Sequence, residues 1–302
     1  MRKYFINTMM DCAENNSKVA FLMAESGFSV VEPFEKNFPD RFYNTGIAEQ
    51  NLILTAAGMA MSGMRPIAYT MASFLPSRAF EMIKVSVCYQ NLPVVIVATG
   101  SGLSYGQLGS THHSIEESAL MRSLPNMNVI FPSCGEELDE AIKYALSVEK
   151  PFYISFPKLP APEYDGHKFE FGKAVKYRSG DKASIFAVGF AVHDAVKAAD
   201  KLKEKGIDIS VYGLHTVKPL DVEAIIEGAK NKNIFVVDEH QSVAGIGSEV
   251  AKIILQNGVS VDNFVDLGVP NCFVDKVAWY NELKDMYGIS AEKIVEKVEN
   301  TI

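Results

Sequence analysis

One carboxylate stands at the start of an apolar segment in the stretch YNTGIAEQNL, residues 43–52. After Glu49 and two amide residues, the chain continues with mainly apolar and small residues up to Met61. Because this segment is apolar on every side, we expect a helix that is enclosed by protein. An unpaired charge in such surroundings costs free energy. Glu49 therefore either interacts with the positive end of the helix dipole or takes part in chemistry that requires an enclosed carboxyl group.

A second candidate is the glycine-rich stretch TGSGLSYGQLGSTHHSIEES, residues 99–118, which carries His112 and His113. Its glycines permit tight turns and the close approach of a ligand. The stretch follows an apolar run typical of a strand, and ligands of open α/β sheets bind beyond the carboxyl ends of the strands. Its glycine spacing matches neither the dinucleotide motif nor the Walker motif. Adjacent histidines point in different directions and no further ligand set is evident, so a metal site is not predicted. The pattern fits a binding loop and an ordinary polar loop equally well.

Short β-branched runs alternate with helical patterns along the whole chain. The predicted strands are residues 65–71, 93–100, 127–133, 151–158, 183–189, 207–215 and 233–240, and the predicted helices are residues 78–90, 135–148, 194–206, 221–231 and 248–258. Phe74 follows the first of these strands, so it too lies at a carboxyl edge, although a lone Phe is more often a core residue.

Near-continuous apolar strands separated by helices indicate a mostly parallel sheet covered on both faces. The alternation of strand and helix patterns stops over residues 159–182, which contain Pro, Gly and charged residues, and begins again after them. We predict an α/β protein of two consecutive domains, each a mostly parallel sheet with helices on both faces. The domains are residues 1–160 and 183–302, and residues 161–182 form a linker.

Composition narrows the class of protein. The 302 residues are 48% hydrophobic and 22% charged, an ordinary globular balance, and the net charge of −8 argues against nucleic acid as a partner. The four cysteines show no paired spacing, which favours free thiols in a reducing compartment. The N-terminus becomes polar before any apolar stretch of signal length, and no apolar run approaches the length of a membrane span. We therefore expect a cytoplasmic protein with no membrane partner.

In their order along the chain, these segments resemble the C-terminal half of a transketolase. RFYNTGIAEQNLILTAAGMAMSGMRPIAYTMASFL is similar to the pyrimidine-binding domain of that family, and GSTHHSIEESALMRSLPNMNVIFPSC resembles its histidine loop. GLHTVKPLDVEAI and DEHQSVAGIGSEVA are similar to its C-terminal domain. The resemblance covers nearly the entire chain and implies thiamine diphosphate as the cofactor.

The resemblance implies a role for each matching residue. Glu49 would hydrogen-bond a ring nitrogen of the aminopyrimidine and favour the imino tautomer, whose exocyclic nitrogen removes the proton of the thiazolium carbon. Phe74 would stack on the aminopyrimidine, with Phe80 completing its apolar pocket. Glu25 would lie near the thiazolium, and His112 would contact the carbonyl oxygen of the substrate.

Substrate contacts follow from the same resemblance, with some departures. Arg2 and Ser29 match phosphate-contacting positions, and His113 stands beside His112 in the substrate loop. Leu108 replaces an aspartate that reads a substrate hydroxyl in the family. A histidine expected near residue 100 is absent, as is an arginine expected near residues 155 and 156, where only Lys158 stands close by. Loss of a charge-assisted hydrogen bond lowers the affinity for the substrate group that it contacted. The substrate is therefore expected to differ from an ordinary pentose or hexose phosphate.

The diphosphate-binding half of a transketolase is missing from this sequence. No G-D-G motif occurs in it, although the family binds its metal ion through that motif and a following asparagine. The resemblance therefore implies a separate diphosphate-binding partner subunit that holds Mg²⁺ or Ca²⁺. Two copies of each chain would form a heterotetramer, and this chain alone would be inactive.

Three functions are compatible with these features. The first is a subunit of a split transketolase that transfers a two-carbon ketol unit from a ketose donor to an aldehyde acceptor, including modified sugars. The second is a subunit resembling 1-deoxyxylulose-5-phosphate synthase or the β subunit of a 2-oxoacid decarboxylating complex. The third is a non-catalytic subunit that regulates a partner. The presence of Glu49, Phe74 and His112 argues against the third function, because a site that has lost its catalytic activity does not need an enclosed carboxylate.

Overall fold

The computed structural model describes residues 1–25, 30–160 and 169–302. In the first half, the strands are β1 (Val19–Met23), β2 (Phe42–Asn44), β3 (Arg65–Met71), β4 (Val95–Thr99), β5 (Asn128–Ile130) and β6 (Phe152–Phe156). The helices there are α1 (Arg2–Asn15), α2 (Glu32–Asn37), α3 (Glu49–Met61), α4 (Leu75–Arg78), α5 (Phe80–Met82), α6 (Glu117–Ser123) and α7 (Gly135–Ser147). Short 3₁₀ turns occur at Pro39–Arg41 and Gly106–Leu108, and a π-helical turn at Ile83–Cys88.

Strands and helices also alternate in the second half of the chain. Its strands are β7 (Val175–Arg178), β8 (Ser184–Val188), β9 (Ser210–Leu214), β10 (Thr216–Lys218), β11 (Asn233–Gln241) and β12 (Asn263–Val269). Its helices are α8 (Ala191–Glu204), α9 (Val222–Ala229), α10 (Ile246–Gln256), α11 (Tyr280–Met286) and α12 (Ala291–Glu299).

The strands form two sheets in which parallel pairs dominate. The first sheet has the order β10-β5-β6-β4-β3-β1-β2, and the second has the order β12-β11-β8-β9-β7. Only the edge strands β10 and β7 pair in the antiparallel sense among the described strands. The predicted α/β class with two mostly parallel sheets is confirmed.

Each central strand contributes side chains to both faces of its sheet. In β1, Phe21 enters an apolar cluster with residues of α1 and α7, whereas its neighbour Leu22 enters a cluster with residues of α3. This second cluster continues through Phe186 and Val236 into the second sheet, so one core spans both halves of the chain. The opposite face of the second sheet is covered by α8 and α12.

Several elements were not predicted. The strands β1, β2, β7, β10 and β12 have no counterpart in the sequence-based assignment, and β7 lies inside the segment interpreted as a linker. β10 comes from the second half of the chain but extends the first sheet, where Thr216 pairs with Ile130 of β5.

Helix α3 is enclosed on one side only. Leu52, Ile53 and Ala56 are fully buried, but Leu54 and Met61 are 47% and 66% exposed. The expectation that this helix is enclosed on every side is therefore wrong for the isolated chain. Its outer side exposes the apolar side chains of Leu54 and Met61, which another protein surface could cover.

No helix within the described ranges combines the length and the apolar character needed to cross a membrane. The four cysteines are free thiols; Cys88 and Cys134 are buried, and Cys272 is exposed.

Candidate functional site

The candidate site lies where four neighbouring strands of the first sheet end. In the order β4-β3-β1-β2, the strands lead into the histidine loop, Phe74, Glu25 and the start of α3 respectively. Because these strands are parallel, their carboxyl ends meet at one edge of the sheet. This edge is where open α/β sheets bind their ligands.

Glu49 is the first residue of α3 and is 6% exposed. Its carboxylate is not unpaired, because Nη1 of Arg78 donates to its Oε1 at 2.9 Å. Arg78 is the last residue of α4, and its side chain is 48% exposed. The pair compensates the buried charge from the open side of the site, so the cost of burying Glu49 is smaller than the sequence suggested.

The same guanidinium also stacks on Phe74. The Cζ atom of Arg78 lies 4.2 Å from the centroid of the Phe74 ring. One planar cation thus contacts an aromatic face and a buried carboxylate at the same time. The seat formed by Phe74 and Glu49 therefore accepts a flat group that carries N–H donors and positive charge.

His112 completes this side of the site. Its ring centroid is 5.4 Å from that of Phe74 and 6.3 Å from that of Tyr105. The Nδ1 atom of His112 and the hydroxyl of Thr111 are 2.9 Å apart. If the hydroxyl donates to Nδ1, the neutral ring carries its proton on Nε2, which can then donate to a ligand.

His113 lies in a different environment from His112. It is 5% exposed, and its Nε2 lies 3.4 Å from the carbonyl oxygen of Gly106 inside the same loop. Burial lowers the pKa of His113, and the hydrogen bond to Gly106 opposes that shift. A neutral, inward-facing ring stabilises the loop, so the predicted contact between His113 and a substrate has no support from this geometry.

Three of the remaining predicted residues, Glu25, Phe80 and Arg2, lie within the described part of the chain, and Glu25 is at the same edge. Glu25 follows β1 with a φ of 38°, and its carboxylate accepts a hydrogen bond from Nδ2 of Asn44 at 2.8 Å. Phe80 begins α5 and packs, half-buried, against the core that contains α3. Arg2 begins α1; burial raises the pKa of Tyr105 and the charge of Arg2 opposes the shift, which places Arg2 within electrostatic reach of Tyr105. Ser29 lies outside the described residues.

The positions that depart from the expected substrate contacts are also near this edge. Leu108 is 52% exposed on the histidine loop. Nζ of Lys158 lies 5.3 Å from the centroid of the Tyr105 ring, whereas Ser155 is buried in β6. Over residues 1–25, 30–160 and 169–302, no group of three or more His, Cys, Asp or Glu side chains is placed to hold a metal ion.

Sequence reasoning missed Arg78, although it makes the most direct contact with Glu49. The two residues are separated by 29 positions, and nothing in local periodicity links the end of α4 to the start of α3. A basic residue four positions after Phe74, at the end of a single helical turn, was the only available signal.

Comparison with known proteins places both halves of the chain in described families of domains. Residues 1–162 match the family model described as transketolase, pyrimidine binding domain, and residues 172–294 match that described as transketolase, C-terminal domain.

Two relatives and one solved structure are similar over most of the chain. A subunit of the apulose-4-phosphate transketolase of Actinobacillus succinogenes is 35% identical, covering 96% of this chain and 94% of the relative. The 1-deoxy-D-xylulose-5-phosphate synthase of Aquifex aeolicus is 33% identical, covering 99% of this chain but 48% of the relative. A solved structure described as a split gene transketolase, inactive beta4 tetramer, is 34% identical with a TM-score of 0.88, and the match covers 99% of this chain and 96% of that one.

Proposed function

We propose, from the premise that this chain belongs to the transketolase family, that it is the pyrimidine-binding and C-terminal subunit of a split, thiamine diphosphate-dependent transketolase. The observation that carries the proposal is the shared seat of Glu49 and Phe74 with His112 beside it. The relative from Actinobacillus succinogenes is itself a transketolase subunit of nearly the same length.

The seat suits the aminopyrimidine of the cofactor. That ring is flat, carries an exocyclic amino group and becomes cationic when protonated, and Arg78 already shows that a flat N–H-donating cation fits between Phe74 and Glu49. When bound, thiamine diphosphate supplies a nucleophilic carbon and an electron sink for cleaving a carbon–carbon bond beside a ketone. Glu49 would exchange a proton with a ring nitrogen, and Phe74 would fix the plane of the ring. Nε2–H of His112 would donate to the carbonyl oxygen of the substrate, where negative charge develops.

The diphosphate and its metal ion are assigned to a partner subunit, which would hold Mg²⁺ or Ca²⁺. The exposed apolar side chains of Leu54 and Met61 support such a partner, because they lie on α3, the helix that begins at Glu49. We propose a heterotetramer with two copies of each chain. We also propose a reducing, cytoplasmic location, which suits the buried free thiols of Cys88 and Cys134.

The proposed substrates are a ketose donor and an aldehyde acceptor, and the acceptor is proposed to carry an unusual substituent. Leu108 is exposed where the family reads a hydroxyl, so it offers an apolar contact and no hydrogen bond. Two cations act on Tyr105 of the same loop: the exposed Lys158, whose Nζ lies 5.3 Å from the ring centroid, and Arg2, whose charge opposes the rise in the pKa of Tyr105. Both are proposed to contact anionic groups of the substrate. A modified sugar, deoxygenated or substituted at the position that Leu108 faces, fits this pattern.

Reconstitution tests the function. The chain and its partner subunit are mixed with thiamine diphosphate and Mg²⁺, and ketoses labelled with ¹³C at the two leading carbons are screened with aldehyde acceptors by mass spectrometry. We expect acceptor products that gain both labelled carbons, formed only when both chains are present. Absence of two-carbon transfer from every ketose, together with condensation of pyruvate with release of carbon dioxide, would instead support the synthase-like function that the Aquifex aeolicus relative suggests.

Arg78 gives a second prediction, because it occupies the seat proposed for the cofactor. Arg78→Met removes the competing cation, so thiamine diphosphate should bind the assembled complex about two- to fivefold more tightly, the range expected for an ion pair whose arginine is half-exposed. Isothermal titration calorimetry measures the effect. Arg178→Met, which removes an arginine of similar exposure that pairs with Asp200 in the second half, is the matched control and should leave affinity unchanged. Weaker binding by Arg78→Met would show that Arg78 contacts the cofactor and does not compete with it.

A further inference from the structure

The loop that carries His112 is closed at its base. Gly102 and Ser114 form an antiparallel bridge, in which the N–H of Gly102 donates to Ser114 at 3.2 Å and the N–H of Ser114 donates back at 2.9 Å. His112 stands two residues before this bridge. The position of the base therefore determines where the imidazole lies relative to Phe74.

Three consecutive residues of the second half contact both sides of that base. Glu239, at the end of β11, accepts a hydrogen bond from the N–H of Leu103 at 3.4 Å. The N–H of Gln241 donates to the carbonyl oxygen of Ile115 at 2.9 Å. Between them, Nε2 of His240 lies 3.3 Å from Oε1 of Glu117, the first residue of α6. The end of one strand thus holds the entry and the exit of the loop.

Close packing and burial constrain this contact. A Cβ atom on Gly102 would lie 2.6 Å from Oε2 of Glu239, so only glycine permits the approach. Glu239 and Glu117 are 6% and 1% exposed, and each also accepts a hydrogen bond from a tyrosine hydroxyl, Tyr280 and Tyr153 respectively.

His240 is held between two buried carboxylates. Its Nδ1 lies 2.6 Å from Oδ1 of Asp238, on the opposite side of the ring from Glu117. Burial alone would lower the pKa of His240, but Asp238 and then Glu117 raise it to about 10. The ring is therefore an imidazolium at neutral pH, and it joins the sheet of the second half to the helix that follows the loop.

We propose that residues 239–241 form a clamp that positions the loop of residues 102–114, which carries His112. Glu239 and His240 are positioning residues for His112. This inference rests on the proposed function, since it concerns the placement of His112. It assigns a role in the reaction to the second half of the chain: its sheet fixes the geometry of the substrate loop without touching the substrate. A well-positioned group matters greatly for rate, because a displacement of about 1 Å can cost about 100-fold.

The test uses Glu239→Ala, which removes the acceptor for Leu103, with Glu239→Gln as the conservative variant that keeps an acceptor of equal size. Hydrogen–deuterium exchange is measured on the full chain, and kcat, KM and cofactor affinity are measured on the assembled complex. We expect Glu239→Ala to raise amide exchange over residues 103–115 by about tenfold or more. It should lower kcat by about tenfold with cofactor affinity within about twofold. Glu239→Gln should restore both to within about threefold of wild type.

Asp221→Ala is the matched control, because it removes the helix cap of α9 in the same half without touching the loop. It should lower thermal stability but leave kcat and exchange over residues 103–115 unchanged. Wild-type kcat and exchange in a folded Glu239→Ala variant would overturn the clamp. If Glu239→Ala does not fold, Glu117→Gln decides: it keeps the size of the side chain but weakens the contact with His240, and unchanged exchange over residues 103–117 would overturn the clamp. Because exchange is read without turnover, failure of the clamp and failure of the proposed function are distinguishable.

Discussion

Replacing Glu49 with Gln is expected to lower turnover of the assembled complex by about 10²–10⁴-fold, the range typical for loss of a positioned acid–base group. Gln has the same volume and can still accept a hydrogen bond from Arg78, but it cannot exchange a proton with the cofactor. The fold should survive, because Gln keeps the volume of the side chain and an acceptor for the half-exposed Arg78.

Glu35→Gln is the matched control for this variant. Glu35 also lies in the first turn of a helix, α2, but it is exposed and is not among the predicted site residues, so its replacement should leave turnover unchanged. Turnover of Glu49→Gln within about threefold of wild type, a loss below about 0.7 kcal/mol, would mean that Glu49 is only a helix-end residue.

His112→Ala should produce the other large effect. Removing a single hydrogen-bond donor at a developing oxyanion typically costs about 10²–10³-fold in kcat. His112→Gln, which keeps an N–H donor, should recover part of the loss. Cofactor affinity should change little in both variants, because the seat of Phe74 and Glu49 remains intact. Titration calorimetry and steady-state kinetics on the same preparations separate the two effects.

A different result would assign His112 to cofactor binding. If His112→Ala weakened cofactor binding in proportion to the loss of kcat, the ring would act through its edge contact with Phe74, at 5.4 Å between centroids, and not through the substrate. Thr111→Val adds a control for the tautomer: it removes the hydroxyl that lies 2.9 Å from Nδ1 and should lower kcat less than His112→Ala does.

The sequence predicted the fold class because apolar strands and amphipathic helices alternate over most of the chain. Strand order is a different matter, since it depends on contacts between distant segments. β2 has three residues, too few to show a period, and β10 leaves the second half to pair with β5. β7 is a short, partly exposed edge strand within a segment whose Pro, Gly and charges indicated a linker.

The candidate site was predicted only where a residue's position depends on its own segment. Local pattern placed Glu49 at a helix start, Phe74 after a strand and His112 in a glycine-rich loop, and the parallel sheet brings them to one edge. Their selection as site residues came from the resemblance to the transketolase family, because local pattern alone also allowed an ordinary structural role for each. The partner of Glu49 could not be predicted, because Arg78 reaches it across space from another helix. The opposite environments of His112 and His113 depend on how the loop closes, which neighbouring residue types do not encode.

The clamp was likewise invisible in the sequence. DEHQ reads as the end of an apolar strand followed by polar residues, typical of any strand that enters a turn. Its contacts with Leu103, Ile115 and Glu117 join segments more than 120 residues apart.

The central claim is that Glu49 controls proton exchange on the cofactor in a site shared by two chains. Hydrogen–deuterium exchange at the thiazolium carbon of thiamine diphosphate, followed by quenched-flow NMR, tests it most directly. The samples are the wild-type complex, the Glu49→Gln complex and each chain alone. We expect fast exchange only in the wild-type complex, with the Glu49→Gln complex slower by about 10²-fold or more. Exchange in the Glu49→Gln complex within about threefold of wild type, or equally fast exchange with the partner subunit alone, would contradict the account.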